Sequence, residues 1–95
     1  MAIAVVQDFA GATLDQYDQV ISKMGLESGG AGPDGLMFHW AAATPEGVLI
    51  TDVWETLGQF QEWAQEKTGP LAAEAGITDQ PKVTVHELHG YLTAG

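Results

Sequence analysis

Arginine and cysteine are both missing from this chain, and its only cations besides histidine are Lys23, Lys67 and Lys82. Without cysteine there is no disulfide, no thiolate metal site and no cysteine nucleophile. Three lysines stand against 13 carboxylates, for a net charge of −10. A nucleic-acid binder needs a basic footprint to neutralise phosphates, and none is available. An anionic membrane surface would repel the chain. The lack of arginine also removes the bidentate fork that usually clamps carboxylate or phosphate ligands. A ligand, if there is one, is therefore expected to be neutral or cationic. No apolar run approaches the ~20 residues of a membrane span. The apolar start from Met1 to Phe9 lacks the basic n-region and long h-region of a signal peptide. A soluble cytoplasmic protein is the expectation.

What is present is a chain of 95 residues with 45% hydrophobic and 17% charged residues, the balance of one globular domain spanning residues 1–95. It is organised around a hairpin, Gly35 to Glu55. Two strand-like runs flank Thr44-Pro45-Glu46-Gly47, a type I turn signal: proline presets φ at the second position and glycine is favoured at the fourth. If Ala43 pairs with Val48, antiparallel register sets Ala41 opposite Ile50, His39 opposite Asp52 and Met37 opposite Trp54. One sheet face then carries Met37, His39, Ala41, Ile50, Asp52 and Trp54. The other carries Leu36, Phe38, Trp40, Leu49, Thr51 and Val53. Both faces are apolar enough to need cover.

The run Ala2 to Phe9 reads as a first strand. Thr13 and Gln16 have capping-box spacing and open a helix whose apolar stripe is Leu14, Tyr17, Ile21 and Met24, with Gly25 as its stop. Glu27 to Gly35 is glycine-rich and lacks the Lys-Ser/Thr ending of a phosphate-binding loop. It is expected to be a connection or lid. After the hairpin, Thr56 and Gln59 repeat the capping-box spacing before a second helix with Leu57, Phe60, Trp63 and Ala64. Thr68-Gly69-Pro70 is expected to interrupt it, with a short helix restarting from Pro70 to Ala75. Lys82 to Leu92 reads as the last strand, and the tail Thr93-Ala94-Gly95 is expected to fray.

This order, βαββαβ, predicts an α+β fold of ferredoxin-like plan: a four-stranded antiparallel sheet with two helices on one face. The hairpin's other face remains apolar. A second copy packed sheet against sheet is its simplest cover, which predicts a homodimer through that face.

The stretch from His39 to Pro70, centred on Asp52-Val53-Trp54-Glu55 and running into a helix with Phe60 and Trp63, resembles the dimeric α+β barrel superfamily. Within it, the small bacterial proteins of the antibiotic-biosynthesis-monooxygenase type are the most similar. The resemblance covers nearly the whole chain. It implies a dimer whose sheets form a barrel, with a pocket between sheet and helices in each subunit. The superfamily contains cofactor-free monooxygenases, haem-degrading enzymes, isomerases, lyases and polyketide cyclases. The haem-degrading branch carries its iron-ligating histidine on the second helix, and Leu57 to Lys67 has none. The quinone-forming monooxygenases typically use an asparagine with a tryptophan. Trp54 and Trp63 are candidates for the latter, but the chain has no asparagine.

His39 with Asp52 is the candidate catalytic pair. A carboxylate beside an imidazole fixes the ring's tautomer, which suits a general base. Its alternative is a buried polar pair that only satisfies itself. The pair depends on register, since a one-residue slip would set His39 against Thr51 or Val53. Met37, Ile50, Trp54, Tyr17, Phe60 and Trp63 are the candidate substrate-pocket residues, with ordinary core packing as the alternative for Phe60. His86 and His89 are placed in the last strand, on opposite faces. No metal and no cofactor are expected. The expected function is a small-molecule enzyme acting on an apolar or aromatic substrate by His-Asp acid/base chemistry, as an isomerase, cyclase, lyase or cofactor-free monooxygenase. The alternative is a non-catalytic ligand-binding or structural dimer.

Overall fold

A computed structural model describes residues 1–92, so the tail Thr93-Ala94-Gly95 lies outside the described residues. Strand β1 spans Ile3–Ala10, helix α1 Leu14–Lys23, β2 Leu36–Thr44, β3 Gly47–Trp54, α2 Leu57–Trp63, α3 Gly69–Glu74 and β4 Lys82–Glu87. The sheet is antiparallel throughout, in the order β2-β3-β1-β4. This is the ferredoxin-like α+β plan expected from the order of elements.

The hairpin turns at Pro45 and Glu46, with Ala43 opposite Val48, Ala41 opposite Ile50 and His39 opposite Asp52. Neither turn residue has a positive φ, as a type I turn requires. The Thr44 hydroxyl accepts from the Gly47 N–H at 3.1 Å. Gly47 is dictated by packing. A Cβ there would sit 2.2 Å from the Phe9 carbonyl oxygen, so only glycine lets the hairpin close against the end of β1.

The expected register fails at one point. Leu36, not Met37, stands opposite Trp54, and the pairing shifts between Leu36 and Phe38. Met37 is the extra residue of a β-bulge, which breaks the alternation of sides. Leu36 therefore leaves the outer face assigned to it and packs with Ile3, Val5, Trp54 and Phe60. Bulges obey local twist and packing, not hydrophobic pattern, and Leu36-Met37-Phe38 is apolar in either phase.

Helix α1 opens with the expected capping box: Thr13 accepts from the Gln16 backbone N–H, and the Gln16 side chain accepts from the Thr13 N–H. At Thr56 only half of the box forms, with Thr56 accepting from the Gln59 N–H; the Gln59 side-chain oxygen takes the Thr56 hydroxyl instead. The expected break at Thr68-Gly69-Pro70 is absent. The chain stays helical through a π-helical turn, Ala64–Thr68, in which the Gly69 N–H reaches the Ala64 carbonyl. Pro70 has no N–H for the Glu66 carbonyl, and a widened turn accommodates that loss without ending the helix. Gly76, at φ +91°, ends α3 with Gly76 N–H to Ala73 and Ile77 N–H to Ala72 bonds, a Schellman closure. One ion pair, Lys23 to Glu74 at 2.9 Å, ties α1 to α3 on the exposed surface.

The last strand is shorter than expected and ends at Glu87. His86 lies opposite Ala4, and His89 falls beyond the strand. All six residues of β4 are exposed.

The core sits on the helix-covered face as two apolar clusters. Ile3, Val5, Trp54 and Phe60 form one; Phe9, Ala12, Val48 and Ile50 form the other. Along β1 the inward positions run Ile3, Val5, Gln7, Phe9, and along β3 they run Val48, Ile50, Asp52, Trp54. Gln7 and Asp52 are thus the polar stratum between the two clusters. On the opposite face Phe38 and Trp40 remain 52% and 40% exposed. No helix among the described residues is long and apolar enough to cross a membrane.

Candidate functional site

The stratum is a hydrogen-bonded chain. Asp52 is buried, and its Oδ1 lies 2.5 Å from His39 Nδ1. Its Oδ2 accepts from Gln7 Nε2 and from the Trp54 indole N–H, each at 3.2 Å. Gln7 and Trp54 both donate to it, and an ionised carboxylate can only accept, so Asp52 acts as an acceptor towards His39 as well. That assigns the neutral His39 ring the Nδ1–H tautomer. Its Nε2 is left as an acceptor and lies 2.6 Å from the Tyr17 hydroxyl. The Tyr17 and His39 rings are near parallel, with centroids 5.9 Å apart. Asp52, His39 and Tyr17 therefore form a line from the buried interior outwards, drawn from β3, β2 and α1.

Local structure explains each placement. The tight turn fixes His39 directly across from Asp52. Gln7 stands opposite Ile50 and reaches Asp52 along the diagonal between neighbouring strands. Tyr17 is held by α1, one turn after the Thr13 cap.

The line borders a cavity of about 760 Å³, within the range of small-molecule sites. Its floor is the inner face of β1 and β3, it takes in both faces of the edge strand β2, Phe38 and Trp40 included, and its roof is α1 with the loop from Leu26 to Pro33. Tyr17, Met37, His39, Ile50, Asp52, Trp54, Phe60 and Trp63 all border it, so the sequence-derived candidates converge on one place. Trp54 packs edge-on against Phe60 and at a tilt against Trp63, so both Trp54 and Phe60 belong to the core as well. His86 and His89 do not border the cavity. Among the described residues no group of three or more His, Cys, Asp or Glu is arranged to hold a metal ion.

The cavity explains α1. Leu14 remains 46% exposed although it begins the helix's apolar stripe, because Leu14, Tyr17, Ile21 and Met24 face the cavity. The charged residues of the lining are Asp18, Glu27 and Asp52, with no lysine. Tyr17 feels this environment: burial first, then the Asp52 charge and then the Asp18 charge raise its pKa above 10.0. Phenolate is disfavoured in the folded chain relative to the unfolded one. The folded form should therefore lose stability as pH rises above 10 and through the raised pKa. Tyr17→Phe should blunt that alkaline loss, and melting temperatures of both proteins between pH 8 and 11.5 (a range about the ordinary tyrosine pKa) check it.

Two features escaped the sequence reading. Gln7 as a partner of Asp52 was signalled by a polar residue at an inward position of an otherwise apolar strand. Tyr17 was recognised as a wall of the pocket, but its hydroxyl bond to His39 depends on how α1 lies over the sheet, which strand pairing does not determine.

Neither a family model nor a curated protein matches the sequence. Solved structures do match. A protein of unknown function from Nitrosomonas europaea has a TM-score of 0.64 at 20% identity, over 99% of this chain and 95% of that one. A proposed antibiotic biosynthesis monooxygenase from Deinococcus radiodurans has a TM-score of 0.61 at 19% identity, over 100% and 99%. A monooxygenase of Streptomyces coelicolor from ActVA-Orf6, solved with nanaomycin D, has a TM-score of 0.57 at 17% identity, over 99% and 92%. The chain thus shares the ferredoxin-like α+β fold of these solved structures over 99–100% of its length.

Proposed function

We propose that the protein is a small-molecule enzyme that moves a proton on an apolar, aromatic substrate held between sheet and helices. The observation that carries this reading is the Asp52–His39–Tyr17 line ending on an apolar cavity. A ring whose tautomer is fixed by a buried carboxylate is organised to accept and return a proton. Isomerisation, cyclisation, elimination and cofactor-free oxygenation all begin with such a transfer. Of the fold neighbours named above, one is a monooxygenase and another a proposed antibiotic biosynthesis monooxygenase, which supports a reaction of that broad kind. The acidic lining favours neutral or cationic substrates over anions.

Trp54 and Trp63 at the cavity make intrinsic fluorescence a direct reporter of binding. Among aromatic carbon acids, neutral and cationic compounds should bind and anionic ones should not. For a bound compound, exchange of its acidic proton should slow about 100-fold or more in His39→Gln. Binding with no His39-dependent exchange would make the protein a carrier and not an enzyme. The working unit in this reading is a homodimer joined through the sheet face that bears Phe38 and Trp40, two large apolar side chains that a second copy would cover. Sedimentation at the mass of one chain would remove the dimer from it.

A further inference from the structure

Both ring nitrogens of His39 are already engaged, Nδ1 with Asp52 and Nε2 with Tyr17. A ligand in the cavity therefore meets no free histidine nitrogen. The Tyr17 hydroxyl, in contrast, gives its single proton to Nε2 and keeps unused acceptor capacity on its oxygen. Tyr17 itself borders the cavity.

From this geometry we propose that Tyr17 is the catalytic residue that touches the substrate, with His39 acting through it. The inference rests on the acid/base reading above and says which group performs the transfer. In the forward step the substrate's C–H or O–H bond breaks and its electron pair stays on the substrate. The released proton bonds to the Tyr17 oxygen as Tyr17's own proton passes to His39 Nε2. Tyrosine stays neutral throughout, and the net change is one proton moved from substrate to imidazole. The imidazolium is formed against the Asp52 carboxylate, which is fixed by Gln7 and Trp54 and needs no rearrangement to receive it. In the return step imidazolium donates to the Tyr17 oxygen, and Tyr17 donates its proton to the product. The raised pKa of Tyr17 agrees with a hydroxyl that relays protons and does not rest as phenolate.

The test uses 5-nitrobenzisoxazole, an uncharged aromatic carbon acid. Removal of its ring C–H proton breaks the N–O bond and forms a nitrile, giving a coloured cyanonitrophenolate. Wild type should accelerate this opening. Tyr17→Phe and His39→Gln should each lower kcat about 100-fold or more with little change in KM, and the double variant should be no worse than the poorer single one, because the two act as a unit. Wild type should also show a normal solvent deuterium isotope effect, since the exchangeable Tyr17 proton is in flight.

If His39 were the direct base, Tyr17→Phe would free Nε2 and the rate would hold or rise. The solvent isotope effect would then be near unity, because the substrate's C–H proton does not exchange. Either result overturns the relay and leaves the acid/base reading standing. The isotope effect needs no variant, so the relay stays testable even if Tyr17→Phe folds poorly. No acceleration by wild type overturns the acid/base reading and the relay together.

Discussion

Asp52→Ala should destabilise the protein by about 3 kcal/mol or more. The carboxylate receives three N–H groups, from His39, Gln7 and Trp54, and its removal strands all three in or beside the core. Each buried donor left without a partner costs about 1–3 kcal/mol. Urea unfolding followed by tryptophan fluorescence reads the loss. A cost below about 1 kcal/mol would mean that water replaces the carboxylate freely and that the stratum is not closed. Asp52→Asn separates stability from chemistry. The amide oxygen can keep the Gln7 and Trp54 bonds, which turns the amide NH₂ towards His39 Nδ1. Nδ1 must then accept, so the proton moves to Nε2, which would donate to the Tyr17 oxygen. Nitrogen NMR of the imidazole should show the tautomer inverted, with little loss of fold and a large loss of proton-transfer activity. An unchanged tautomer would mean that Asp52 does not orient the ring.

Trp54→Ala is the second large effect, expected at about 3–5 kcal/mol. Trp54 is 1% exposed and touches both Phe60 and Trp63, so truncation opens a hole where α2 meets the sheet. For a domain of this size each kcal/mol lowers Tm by roughly 4–8 °C, so Tm should fall by roughly 12 °C or more. Trp54→Phe should cost clearly less: it keeps a ring in the space, and Oδ2 of Asp52 still has Gln7. Similar losses in the two variants would assign most of Trp54's contribution to its N–H bond and not to its bulk.

How much of this was legible follows from where the information sits. Thr44-Pro45-Glu46-Gly47 states its own geometry, and a two-residue turn leaves one register, so the His39–Asp52 pair could be read from the chain alone. Met37, set opposite Trp54 by simple alternation, was placed wrongly. The bulge adds one residue in a stretch that is apolar on both sides, and no change of polarity marks it. The π-helical turn at Ala64–Thr68 was hidden because Gly69-Pro70 signals a break, and only the packing of α3 on the remainder decides that the chain continues. The stripe of α1 was read correctly as a face, but a face towards an open cavity and a face towards packed core have the same pattern. Tyr17 changed from a wall to a member of the hydrogen-bonded line for that reason.

The bulge at Met37 divides responsibility along β2. On the turn side, His39 is locked to Asp52 by its distance from Pro45, and nothing done beyond the bulge alters that count. On the far side, Leu36 joins the cluster around Trp54, and its phase is set by the one extra residue. A lineage could therefore gain or lose a residue at this point and reshape the cavity's inner end while the His39–Asp52 pair stayed in frame. The shape of the cavity and the His39–Asp52 pairing, though carried by one strand, are free to evolve at separate rates.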